Sequence, residues 1–180
     1  MKSVLISIKP KWVEKITSRK KKIEVRKTAP KEVPFKAYIY CSYGDMKTNY
    51  YLNGRGKVIG EFICDEVEEF HEWELSPQGK FADFERERLE NFLTAACLSE
   101  EEVVRYRENL PYFKPLYGWH ISDLKIYAKP KELSEFCIPC KTNCEDCEKP
   151  IFYDCWKEKG KIKVVTRPPQ SYMYVEEVKQ

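Results

Sequence analysis

Short apolar runs and charged stretches alternate along the chain, and the spacing of the apolar positions changes from segment to segment. Val4 to Ile8 is a compact apolar run that predicts a short buried strand. Pro10 follows where a helix can begin, because the first turn has no intrahelical use for its N–H. Trp12, Val13 and Ile16 share one helical face, so Lys11 to Thr17 predicts a short helix. From Lys22 to Lys27 the period drops to two, with Lys22, Glu24 and Arg26 on one face and Ile23 and Val25 on the other. Pro30 and Pro34 mark a loop, and Ala37 to Ser42 is rich in strand formers. Asp45 to Gly56 reads as a loop. Lys57 to Val67 then predicts a long strand, with Gly60 marking a bulge or a close backbone approach.

The helical period returns in residues 79–110. Phe81, Phe84, Leu89, Phe92, Leu93 and Ala96 recur near every 3.6 positions, and Ser99 with Glu102 three residues on predicts a second helix opened by a capping box. Strands resume from Leu116 to Tyr127 and are expected to stop at Pro130. The last segment, Lys161 to Val178, is again rich in strand formers, with Pro168-Pro169 allowing an edge or a bend. Several short strands, one early helix and a helical insertion predict an α+β fold built on a small β-barrel. The barrel would take residues 1–136 and 161–180, with 79–110 as the insertion and 137–160 as a cysteine-rich appendage.

At 180 residues the chain suits one domain with a sizeable core. No apolar run approaches the roughly 20 residues of a membrane span. Val4 to Ile8 is too short for a secretory signal and is followed by Lys9 and Lys11, so a cytoplasmic protein is expected. The net charge of +3 hides an asymmetry. Residues 1–41 carry 12 Lys/Arg against 3 Glu, whereas residues 61–110 carry 5 Lys/Arg against 15 Asp/Glu. The basic segment suits a polyanionic partner; equally, the two segments can neutralise each other across the fold. The stretch Ser18 to Lys27 alone holds six basic residues and one acid. Its Glu24 and Arg26, roughly 6–7 Å apart along a strand, either close on each other as a salt bridge or hold a polar ligand such as a base or a phosphate.

Five of the eight cysteines, Cys137, Cys140, Cys144, Cys147 and Cys155, lie within 19 residues with the spacing C-x2-C-x3-C-x2-C-x7-C. In a reducing compartment such pairs favour metal over disulfide, and four thiolates suit tetrahedral zinc in a closed, structural site. The preferred ligands are Cys140, Cys144, Cys147 and Cys155, with Cys137 in reserve; an iron–sulfur cluster, disulfides or free thiols stay open. Cys41, Cys64 and Cys97 sit in apolar runs and read as core.

Lys21-Lys22-Ile23-Glu24-Val25-Arg26, preceded by a Lys-Pro and a short helix containing Trp12, resembles the K-x-x-E-x-R signature of the ASCH domain, a member of the PUA-like superfamily. Gly60-Glu61-Phe62 and Tyr117-Gly118-Trp119-His120-Ile121 resemble its later strands. Pro130 to Phe136 and Arg167-Pro168-Pro169-Gln170-Ser171 resemble a phage- and prophage-associated branch. The resemblance implies a cleft beside the first helix that binds RNA, another nucleic acid or a modified nucleoside. In that role Lys9, Lys21, Arg26 and Lys27 would meet phosphates or base edges, Glu24 would accept from an exocyclic amine, and Trp12, Tyr43 and Trp119 would stack, Trp119 being equally readable as core.

One branch, the N4-acetylcytidine amidohydrolases, works with a lysine, a threonine and a glutamate. The lysine position is Lys21 here, but the threonine position holds Glu24. The alternative function is therefore a hydrolase of a modified nucleoside or of RNA, amidohydrolase-like or a ribonuclease, with Lys21 as base and Glu24 or Glu61 as its carboxylate. Arg19 stands where the family has Gly, which predicts a looser turn and a wider cleft. A third expectation gives the acidic insertion a protein partner.

Overall fold

The computed structural model describes residues 1–44, 54–71, 82–139 and 164–178, the side chains of 82–85 apart. Among these residues ten strands and three α-helices follow one another in mixed order. The first strand, β1 (Lys2–Ile8), is buried on both faces at Val4, Leu5 and Ile6, because it runs near the middle of a five-stranded sheet. Its partners there are β3 (Phe35–Cys41), parallel, and β9 (Tyr172–Tyr174), antiparallel. The sheet continues outward through β4 (Val58–Cys64) to β7 (Ser122–Lys131). A second sheet orders β2 (Ile23–Arg26), β6 (Leu116–His120) and β5 (Val67–Phe70). β8 (Phe136–Cys137) and β10 (Glu176–Glu177) form a two-stranded third. The class is α+β, as the pattern predicts; the pairings among the described residues leave three separate sheets and do not close into one barrel.

One face of the large sheet packs on α1 (Pro10–Thr17) through Val13 and Ile16 and on Trp119 of the second sheet. Its other face is covered by Phe136, Val165 and Val175 from the C-terminal part of the chain. α2 (Ala82–Ala96) lays Leu89, Phe92 and Ala96 on Ile23 and Val25 of β2, and Val103 of α3 (Glu100–Arg107) joins the same cluster. The predicted capping box opens α3: Ser99 Oγ accepts from the Glu102 N–H, and the Glu102 carboxylate accepts from the Ser99 N–H. The helices of the expected insertion thus bury the apolar face of β2.

Gly60 fulfils both expectations. The β4 pairings shift register beside it, and a Cβ at this position would lie 2.5 Å from the Lys125 carbonyl oxygen. Two boundaries differ from the pattern. Lys57 to Val67 is split at Asp65-Glu66 into β4 and β5, so the predicted single strand serves two sheets. β7 runs through Pro130, which is tolerated because β7 is an edge strand and a ladder N–H is dispensable on its open side.

The turn after α1 is not loose. Arg19 takes the left-handed conformation at φ 59°, its N–H donates to the Ile16 carbonyl at 2.8 Å, and the Lys20 N–H donates to the Lys15 carbonyl at 2.9 Å. These two bonds are those of a Schellman motif, so an arginine occupies the place that glycine usually fills. Among the described residues no helix is long and apolar enough to cross a membrane.

Candidate functional site

Strand β2 is buried on both faces, which its sequence alternation does not suggest. Ile23 and Val25 enter the helical core; Glu24 and Arg26 turn to the opposite side, toward a cleft of about 540 Å³ between β2, α1, α3 and the C-terminal segment. Lys21, just before the strand, reaches the same cleft. The three side chains form one ion cluster. Arg26 Nε lies 3.1 Å from Glu24 Oε1, and Lys21 Nζ lies 3.6 Å from Glu24 Oε2. Two backbone carbonyls complete it: Lys21 Nζ donates to Ala96 O at 2.6 Å, at the end of α2, and Arg26 Nη2 donates to Ser7 O at 2.7 Å, in β1. All three residues are nearly inaccessible, at 3%, 6% and 7% exposure respectively.

Burial lowers the pKa of the Lys21 ammonium from the ordinary lysine value, and the Glu24 carboxylate opposes that shift. The ammonium is 5.0 Å from the centre of the Trp12 ring. Lys11 and Lys15 stand over the same ring at 4.1 and 4.8 Å. Three cations therefore converge on one half-buried indole at the cleft wall. Lys11 also pairs with Glu102 at 3.3 Å. Burial pushes the Glu102 carboxyl up, but the Ser99 N–H and the Lys11 ammonium outweigh it and hold the pKa below the usual value.

Lys9 lines the cleft from the N-cap of α1, exposed and without an ion pair among the described residues. Arg105 of α3 does the same from the facing wall, beside Tyr106. The lining therefore holds five cations (Lys9, Lys11, Lys21, Arg26 and Arg105) against the two carboxylates of Glu24 and Glu102. Of the two charge patterns read from the sequence, each is realised locally. Lys11–Glu102 and Lys36–Glu61 neutralise across the fold, whereas Glu68 and Glu100 are paired by Arg88 and Arg86 of their own segment. The cleft keeps its positive excess.

Lys9, Trp12, Lys21, Glu24 and Arg26 are brought together; the other predicted residues are not. Lys27 is not part of the lining; it donates to Glu108 O at 3.1 Å and stands over the Tyr106 ring at 5.2 Å. Glu61 faces the other side of the large sheet, where it accepts from Tyr127 and pairs with Lys36 at 3.4 Å, so it is not a partner for Lys21. Trp119 is 0% exposed and packs edge-on against Phe35 and Tyr172 at 5.0 and 5.5 Å; it is a core residue and offers no face for stacking. Tyr43 is exposed but outside the lining.

Cys140, Cys144, Cys147 and Cys155 lie outside the described residues. Cys137 is buried in β8 with its thiol 3.5 Å from Glu176 O. Among the described residues no group of three or more His, Cys, Asp or Glu side chains is arranged to hold a metal ion. Ser7, Lys11, Glu102, Arg105, Tyr106 and Gln170 supply the other polar or aromatic groups of the lining, and none of them is a ligand contact expected from the sequence. Only the capping box gave Glu102 a position in advance; the rest arrive by contacts between segments far apart in sequence.

A scan of protein-family models finds no match to the chain, and a search of curated proteins finds none. Solved structures do match. The ASCH protein of Zymomonas mobilis is 17% identical with a TM-score of 0.55, over 97% of this chain and 88% of that one. A Tyr→Phe variant of that protein, also 17% identical, gives 0.54 over 98% and 91%. A Ser→Ala variant, again 17% identical, gives 0.54 over 97% and 89%. At this identity the likeness speaks for architecture: the chain has the mixed α+β fold of the ASCH domain.

Proposed function

We propose that the cleft beside α1 binds a nucleic-acid strand, RNA before DNA, by seating a nucleotide among its cations. The observation that carries this reading is the lining itself: five cations against two carboxylates around about 540 Å³, with Trp12 and Tyr106 on its walls. That volume is within the range of small-ligand sites, roughly 300–1,000 Å³. Phosphates would meet Lys9, Lys11 and Arg105, while the Lys21–Glu24–Arg26 cluster forms a fixed floor. The ASCH fold supports the reading by analogy only. Binding of short single-stranded RNA, titrated between low and moderate salt, tests it. About three phosphate contacts on a single strand give a log–log slope near −2, or about a 15-fold loss of affinity for a fourfold rise in salt. Affinity that does not fall with salt would refute the phosphate contacts.

A second reading, hydrolysis of a modified nucleoside or of RNA, is favoured by one observation. Lys21 is buried in the cleft wall with a lowered pKa, the condition a general-base lysine needs. Its carboxylate neighbour is Glu24, with Glu61 out of reach on the other side of the sheet. If the protein turns over acetylated cytidine and Lys21→Ala keeps that turnover, the lysine assignment is wrong. Zinc on Cys140, Cys144, Cys147 and Cys155 belongs to the proposal as a separate structural element, motivated by their spacing alone.

A further inference from the structure

The C-terminal segment 168–171 places Gln170 in the cleft lining, and the hydrogen-bond partners that hold the segment come from β1 and from the residues just after β2. Three bonds fix it. Ser7 Oγ donates to Pro169 O at 2.7 Å, Thr28 Oγ1 and Ser171 Oγ are 3.1 Å apart, and Tyr172 donates from its hydroxyl to Ala29 O at 3.0 Å. Pro168 and Pro169 restrict the backbone further by locking two consecutive φ angles. Gln170 sits between these ties. Its backbone is held on both sides, yet its side chain is exposed, lines the cleft and makes no hydrogen bond among the described residues. Ser7 connects it to the ion cluster, since the residue that holds Pro169 by its hydroxyl also accepts Arg26 Nη2 on its carbonyl.

The other charged side chains of the lining are donor-only ammonium and guanidinium groups or acceptor-only carboxylates. Lys21, Glu24, Arg26, Lys11 and Glu102 are already engaged with one another or with backbone carbonyls, which leaves Lys9 and Arg105 to meet phosphate without giving up a partner. Gln170 supplies the lining's one carboxamide, with a donor and an acceptor side by side at fixed spacing. A nucleobase edge presents the matching pair, an exocyclic group beside a ring nitrogen, and a glutamine meets it with two parallel hydrogen bonds. Resting on the RNA-binding reading above, we infer that Gln170 is the residue that reads the base of the nucleotide seated in the cleft. The cations hold the strand; the carboxamide selects its sequence.

The test uses the full chain and short homopolymeric RNAs of adenosine, cytidine and uridine, with affinities measured at several salt concentrations. The parent is expected to prefer one base over the least favoured by about tenfold, the discrimination of one bidentate contact. Gln170→Ala is expected to bring the three affinities within about twofold of each other, with the salt slope unchanged because no cation is touched. Gln170→Glu replaces a donor–acceptor pair by acceptors alone. It is expected to place adenine and cytosine, which carry exocyclic amines, ahead of uracil. Because Gln170 is exposed and its side chain supports no neighbour, both variants should fold as the parent does. A preference that survives unchanged in both variants overturns the inference, and so does salt-dependent binding by a parent with no preference. A parent that binds none of the three strands defeats the RNA-binding reading itself, a different outcome.

Discussion

Replacing Glu24 by glutamine removes one negative charge from between two buried cations and leaves the shape almost unchanged. Glu24 holds Arg26 at 3.1 Å and Lys21 at 3.6 Å. At an effective dielectric near 20, each attraction is worth about 5 kcal/mol before the cost of burying the ions is counted. That cost offsets much of it, which is why breaking a buried pair is measured at roughly 3–5 kcal/mol. A glutamine oxygen still accepts from one of the two cations, which places the expected loss near 3 kcal/mol, the lower end of that range. For a chain of this length the corresponding fall in Tm is about 6–12 °C.

The loss should also depend on pH. The Lys21 pKa is lower folded than unfolded, because burial outweighs Glu24. Between the folded value and 10.5 the unfolded chain binds more protons, so stability rises with pH through that window. Without Glu24 the folded pKa falls further and the window opens at lower pH. The deficit of Glu24→Gln relative to the parent should therefore shrink as pH is raised toward 10. Urea unfolding at neutral and alkaline pH measures both effects. A variant within about 0.5 kcal/mol of the parent at neutral pH, the size of an ordinary surface change, would refute the argument that Glu24 holds the cluster together.

Arg19→Gly should raise stability, since a left-handed arginine costs about 1–2 kcal/mol and the extra freedom of glycine in the unfolded chain returns about 0.4–1 of it; a thermal melt should show a gain of a few degrees at most. Gly60→Ala should cost about 2 kcal/mol or more, because its Cβ would meet the Lys125 carbonyl, a backbone atom, at 2.5 Å; an unchanged melting temperature would contradict the close approach of β4 and β7. Elemental analysis of the purified protein should find about one zinc per chain if the four cysteines form a single closed site. Cys144→Ser should lose that zinc.

Local rules were enough for the parts of the fold set by neighbours in sequence. Helix α1, the alternation of β2, the bulge at Gly60 and the capping box at Ser99 all follow from spacings of a few residues. Lys21, Glu24 and Arg26 could be named together for the same reason. Their environment could not. Both faces of β2 are buried because α2, some 70 residues later, covers one of them. The cleft wall at Gln170 depends on Ser7 meeting Pro169, a contact 162 residues apart in sequence. Trp119 reads the same in sequence whether it faces a ligand or the core, and its pairing opposite Glu24 only becomes decisive once Phe35 and Tyr172 are seen against its ring. At Arg19 residue preference alone predicts a looser turn, but two good backbone bonds outweigh the cost of one unfavourable φ.

The carbonyl that receives the Lys21 ammonium belongs to Ala96, the last residue of α2. Each residue of an α-helix advances about 100° around its axis. With Phe92 packed in one cluster with Ile23 and Val25, adding or deleting a single residue between it and Ala96 would swing that oxygen to another side and leave a buried ammonium with one acceptor fewer. The length of this last turn is therefore fixed by a requirement that lies outside the helix.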